Sequence, residues 1–241
     1  LIESLLKPVS QRHGFFIKGK FDQISSNTPY STFVQAFNEL IQIILTGEDA
    51  YRLRWRKKIM DTMGGSVKIL TEFIPPIEEL TGNLPEIPML KGIEAQNRFN
   101  NEFVRFIKTI ADKEHPLVIF VDDLQWADAS SLSLIKLIAE SRDIGYAMMI
   151  GAYRMNEVDD DHPLIKKIND LREENVSFEE MGLDDLSFED VSALVQGALR
   201  TQSNNDPFLT DIIYNKTKGN AFYTWQFLKS IYDERFLWFD F

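Results

Sequence analysis

Two adjacent carboxylates, Asp122 and Asp123, close an apolar run in 117-LVIFVDDLQWAD-128. A continuous apolar stretch of this kind reads as a central parallel strand. Open α/β sheets bind ligands at the carboxyl ends of their strands, so both acids are expected at a binding edge. One carboxylate there can hold Mg²⁺, usually through water, and a second can orient or deprotonate an attacking water. The plainer alternative is a strand end that meets solvent with two acids. A second candidate closes another apolar run, 146-YAMMIGAYR-154. A neighbouring strand would bring Arg154 to the same edge, where an Arg stabilises charge on a departing phosphate. The alternative is a surface Arg paired with Asp159 or Asp160, worth ~0–1 kcal/mol.

A third stretch, 14-GFFIKGKF-21, imitates a phosphate-binding loop, G-x-x-x-x-G-K. Such a loop follows a strand, curls backbone N–H groups around phosphate, and opens a helix with Ser or Thr. Here a helical pattern precedes Gly14, the supposed loop is Phe-Phe-Ile, and Phe21 stands where the hydroxyl belongs. The stretch reads as a strand with a polar end. Residues 1–9 place Leu1, Ile2, Leu5, Leu6 and Val9 on one helical stripe, with Pro8 limiting its C-terminal end. In a strand-loop-helix-strand unit that helix would follow the glycine loop. The loop and its strand are therefore expected upstream of Leu1.

The elements that must position these residues alternate. Strands are expected at 15–20, 117–122, 146–153 (buried) and 176–180. Helices are expected over 30–46, 93–114, 129–141 and 162–174, with Asp128 as an N-cap. A charged helical region over 48–82 is broken by Gly64-Gly65 and Pro75-Pro76, and a Pro-marked loop follows at 82–92. After residue 182 only helices are expected: 187–200, with a capping box from Ser187 to Asp190, then 206–218 and 220–235. This is an α/β core over 1–182 followed by a small helical domain over 183–241.

Composition sets the outer bounds. The 241 residues include 44% hydrophobic and 12% aromatic side chains and no cysteine. That permits a real core and excludes disulfides and thiolate metal sites. Lys+Arg 26 against Asp+Glu 37 gives a net charge of −11, which disfavours nucleic acid as a partner. No apolar run reaches the ~18 residues of a membrane span, and the absence of cysteine fits the cytoplasm. His13, His115 and His162 share no ligand spacing. The acidic run 159–161 and the basic residues of 52–58 read as solvated surface. Trp126 is expected either over the site or in the core.

Together, 15-FFIKGKFDQ-23, 29-PYSTFVQAF-37, 94-EAQNRFN-100, 117-LVIFVDDLQWAD-128, 149-MIGAYR-154 and 216-KTKGNAFY-223 resemble the ATPase domain of large bacterial multi-sensor signalling kinases. That domain is a STAND-class member of the AAA-like P-loop NTPases. The resemblance runs from near residue 1 to the end of the chain. It implies a parallel sheet of order 5-1-4-3-2 with flanking helices, a helical lid, and a central first strand missing here. It implies ATP and Mg²⁺ as ligands, with Asp122 as the water-linked Mg²⁺ acid, Asp123 as the second, catalytic acid, and Arg154 as the γ-phosphate sensor. Asn220 and Ala221 match a Gly-Asn-Pro-aromatic lid motif that approaches the nucleotide, with Ala221 in place of the Pro. The implied role is a slow ATPase that sets the arrangement of neighbouring kinase and sensor domains in the same chain, with self-association as a further option. An interaction scaffold without turnover is the alternative. Without the loop, this chain is expected to bind ATP weakly or not at all.

Overall fold

The structure is a computed structural model that describes residues 2–23, 28–88, 90–199 and 207–234. It divides into two compact units, Leu1–Ser177 and Phe178–Phe241.

The first unit is built on a three-stranded parallel sheet of order β1-β2-β3. Strand β1 is Phe15–Lys20, β2 is Leu117–Asp122 and β3 is Ala147–Gly151. The register pairs Phe15 with Leu117 and Leu117 with Ala147, so the three carboxyl ends lie level. Backbone bonds prolong the pairing past the strands: Phe21 N–H donates to Asp122, Ala152 to Val121, and Leu124 to Ala152. The 14–21 stretch is thus a strand, as its Phe-Phe-Ile composition predicts, and its carboxyl end meets the acids of β2.

Helices cover the sheet in the expected order: α1 (Leu6–Gln11), α2 (Ser31–Leu45), α3 (Asp49–Met63), α4 (Lys68–Thr71), α5 (Pro76–Thr81), α6 (Gly92–Ile110), α7 (Ala129–Glu140) and α8 (Pro163–Glu173). The i, i+3, i+4 apolar spacing of α2 buries Phe33, Phe37, Leu40, Ile41 and Ile44. The same spacing in α6 buries Phe99, Phe103, Phe106, Ile107 and Ile110. Phe37 meets Phe103 edge-on at 4.7 Å between ring centres, a favoured aromatic geometry. Asp128 caps α7 by accepting the Ser131 N–H at 2.9 Å. Gly19 lets β1 approach α2: a Cβ there would lie 2.4 Å from the Thr32 methyl and 2.9 Å from its carbonyl.

Three expectations need correction. Pro8 lies within the first turn of α1 and does not end it, because its fixed φ and missing N–H are tolerated there. Strand β3 forms, but none of its residues is fully buried, and Tyr146 and Met148 are half exposed. The segment 176–180 forms no strand. The last two have one cause. Among the described residues no strand lies on the outer side of β3, so that edge stays open, and the strand that would stand between β3 and 176–180 in a 5-1-4-3-2 sheet is not there for 176–180 to pair with.

The second unit holds α9 (Phe188–Leu199), α10 (Pro207–Thr217) and α11 (Ala221–Asp233) around Val191, Val195, Ile213 and Leu228. The capping box is reciprocal. The Asp190 N–H donates to Ser187 Oγ at 3.1 Å, and Ser187 N–H donates to the Asp190 carboxylate at 3.0 Å.

Candidate functional site

Asp122 ends β2, and Asp123 follows it in the left-handed region at φ 52. That turn breaks the strand alternation, so both carboxylates serve one edge instead of opposite faces. Asp-type residues tolerate this backbone region better than most. The Asp122 carboxylate accepts the Asp123 N–H at 3.0 Å and keeps a half-exposed side chain. Asp123 is buried, at 8% exposure.

Three side chains converge on Asp123 from three elements. Lys20, the last residue of β1, places Nζ 2.7 Å from its carboxylate and 3.8 Å from that of Asp122. Gln125 donates from Nε2 at 3.2 Å. Arg154, three residues past β3, brings Nε to 3.5 Å. Burial works against the Asp123 charge. Hydrogen bonds from Lys20 and Gln125, and the charges of Lys20 and Arg154, outweigh burial and hold its carboxyl below the usual range. Lys20 is correspondingly held more firmly protonated, chiefly by its bond to Asp123.

The structure thus brings together Asp122, Asp123 and Arg154. It also shows Arg154 pairing with Glu157 at 2.8 Å as well as with Asp123. The surface-pair alternative had the right kind of partner but the wrong acids, since Glu157 sits one turn on in the short 3₁₀ helix Met155–Glu157. Lys20, Gln125 and Glu157 were not singled out from the sequence. A signal existed for Lys20: a polar residue ending a strand parallel to β2 lands beside the acids. Gln125 and Glu157 gave none, because their roles depend on how the chain turns after each strand. Trp126 packs partly buried against the main core.

Asn220 and Ala221 belong to the second unit. Asn220 is the N-cap of α11, its side-chain oxygen accepting the Tyr223 N–H at 3.1 Å, and Ala221 is the first helical residue. Gly219, at φ 82, lets the chain pass against Leu186, where a Cβ would lie 2.1 Å from the carbonyl oxygen.

The donor set suits a loosely held Mg²⁺. Among the described residues no group of three His, Cys, Asp or Glu side chains is arranged to hold a metal. Mg²⁺ keeps several waters and takes one or two carboxylates plus substrate phosphates, which a half-exposed Asp122 at a sheet edge can satisfy.

A parallel sheet flanked by helices, with paired acids at the end of one strand and an Arg past the next, defines a P-loop NTPase-like fold. The AAA ATPase domain family matches residues 1–150, more than half of the chain, and the chain belongs to that family. It is also similar to hybrid signal transduction histidine kinase G of Dictyostelium discoideum, at 26% identity over 287 aligned residues. The alignment covers 93% of this chain but 8% of that kinase, so the chain corresponds to one small part of it. No solved structure matches.

Proposed function

We propose that this domain is a nucleotide-binding regulatory module of a signal-transduction kinase. ATP with Mg²⁺ docks at the carboxyl edge of β1, β2 and β3, is hydrolysed slowly, and sets the arrangement of neighbouring kinase and sensor domains on the cytoplasmic side. The observation that carries this reading is the meeting of Asp122, Asp123 and Arg154 at one sheet edge.

In this reading Asp122 would hold Mg²⁺, which would supply neutralising charge to the phosphates. Asp123 orients the attacking water. Its depressed pKa makes it a weak proton acceptor, which suits orientation and slow turnover. Arg154 leaves its contacts with Glu157 and Asp123 to meet the γ-phosphate. Assembly with a second copy of the chain is compatible with this role.

A non-hydrolysing scaffold is the second reading. It is favoured by Ala221 standing at a motif position where Pro is expected, and by the Lys20 bond that already neutralises Asp123.

The experiment uses the natural full-length protein. Mg²⁺-dependent ATP binding is measured by calorimetry for the wild type and for Asp122→Ala, alongside phosphate release. Binding that Asp122→Ala abolishes, with slow release, supports the regulatory ATPase. Binding without release supports the scaffold. Absence of binding, or binding indifferent to Asp122→Ala, refutes the site.

A further inference from the structure

Gln125 links three members of the cluster: Asp123, Glu157 and Arg154. It is buried, at 4% exposure. Its Nε2 lies 3.2 Å from Asp123 Oδ1 and 3.0 Å from Glu157 Oε2, and its Oε1 accepts the backbone N–H of Arg154 at 3.3 Å. An amide is suited to this place: it carries donors for two carboxylates and an acceptor for one N–H. A carboxylate would put a third negative charge beside Asp123 and Glu157, and an apolar residue would take one donor from each of them and the acceptor from the Arg154 N–H.

The connection is mechanical as well as electrostatic. Glu157 accepts from Gln125 on one oxygen and from the Arg154 guanidinium on the other. Arg154 therefore hangs from the Gln125 network twice, by its backbone directly and by its side chain through Glu157. When Arg154 moves toward a phosphate, it releases Glu157 and alters the bonding of Gln125, whose other end holds Asp123.

We infer that Gln125 is a positioning residue that couples Arg154 to Asp123, so that the acid's orientation depends on whether a γ-phosphate is present. This deepens the nucleotide-binding reading and rests on it. A residue that only fills space would not affect the preference between ATP and ADP. A coupling residue does, because only ATP presents the group that moves Arg154.

The test compares the full-length wild type with Gln125→Met and with Glu157→Gln, which is partly exposed and spares the core. Calorimetry gives the affinities for ATP and ADP with Mg²⁺. Hydrogen exchange reports the Arg154 backbone amide without nucleotide. Gln125→Met is expected to lower the ratio of ATP to ADP affinity about tenfold, the scale of one charge-assisted hydrogen bond. It should also speed Arg154 amide exchange while ADP affinity holds. Glu157→Gln weakens the resting ion pair that Arg154 must leave, and should raise the ratio instead. A wild-type ratio in a folded Gln125→Met protein overturns the coupling and leaves the ATPase reading intact. Should Gln125→Met fail to fold, an unchanged ratio in Glu157→Gln overturns it. A wild type that binds neither nucleotide overturns both.

Discussion

Lys20 Nζ lies 2.7 Å from the Asp123 carboxylate, joining the carboxyl ends of β1 and β2 across the proposed phosphate edge. The lysine is mostly exposed and the acid mostly buried, so the pair secures a charge that burial alone would disfavour.

Replacing Lys20 by Met should therefore raise the Asp123 pKa toward the ordinary carboxylate range. Stability should fall by about 1 kcal/mol, a modest figure because the lysine is solvated and Gln125 and Arg154 remain. Carboxyl NMR titration and a denaturant melt check both. A double cycle with Asp123→Asn, which keeps a side chain suited to φ 52, isolates the pair. A coupling energy of zero would rule out the bond.

A second charge pair fixes α3 to the loop before β2. Lys58 Nζ lies 2.5 Å from the Asp112 carboxylate. Burial raises the Asp112 pKa, but bonds from Lys58 and from the backbone of His115 and Glu114 overcome it and bring it from 3.8 down to about 2. The folded value is the lower one, so the unfolded chain binds the proton first as pH falls. The contribution is complete above about pH 4 and is lost progressively toward pH 2. Acid melts of the wild type and of Lys58→Met should differ above that window and converge within it.

Among the described residues the outer edge of β3 is open and exposes ladder groups beside the half-exposed Tyr146 and Met148. Unpaired edges of this kind recruit other strands. The 241-residue chain should self-associate with concentration, and Met148→Lys should suppress this. Light scattering over a dilution series checks it; a monodisperse monomer at every concentration would contradict the prediction.

Ala221 is the first residue of α11, where Pro is well accommodated, and Asn220 before it already has the extended backbone that Pro demands. Ala221→Pro should be neutral or stabilise by about 0.4–1 kcal/mol. A thermal melt gives the answer, and a loss exceeding 1 kcal/mol would show that the Ala221 N–H has a partner.

Much of the scaffold was legible because it depends on local periodicity. The apolar spacing in 30–46 and 93–114 gave α2 and α6, the run 117–122 gave β2, and Asp128 and Ser187 marked helix starts by their own side chains. The Phe-Phe-Ile of 15–17 was enough to dismiss a phosphate loop. What failed was of another kind. Residues 176–180 have a strand-like composition, but a strand exists only if a neighbour offers its backbone, and no residue in the segment records that. The half-exposure of β3 has the same origin.

The sequence by itself marked most of the segments that coil or extend, and placed two acids and an arginine at or just past the carboxyl ends of parallel strands. Only the tertiary structure decided that Lys20 neutralises Asp123, that Glu157 holds Arg154, and that Gln125 ties the cluster together. Periodicity is a property of neighbours along the chain. These contacts join residues up to more than a hundred positions apart, set by strand register and by the turn at Asp123, and they exist only after the sheet has formed.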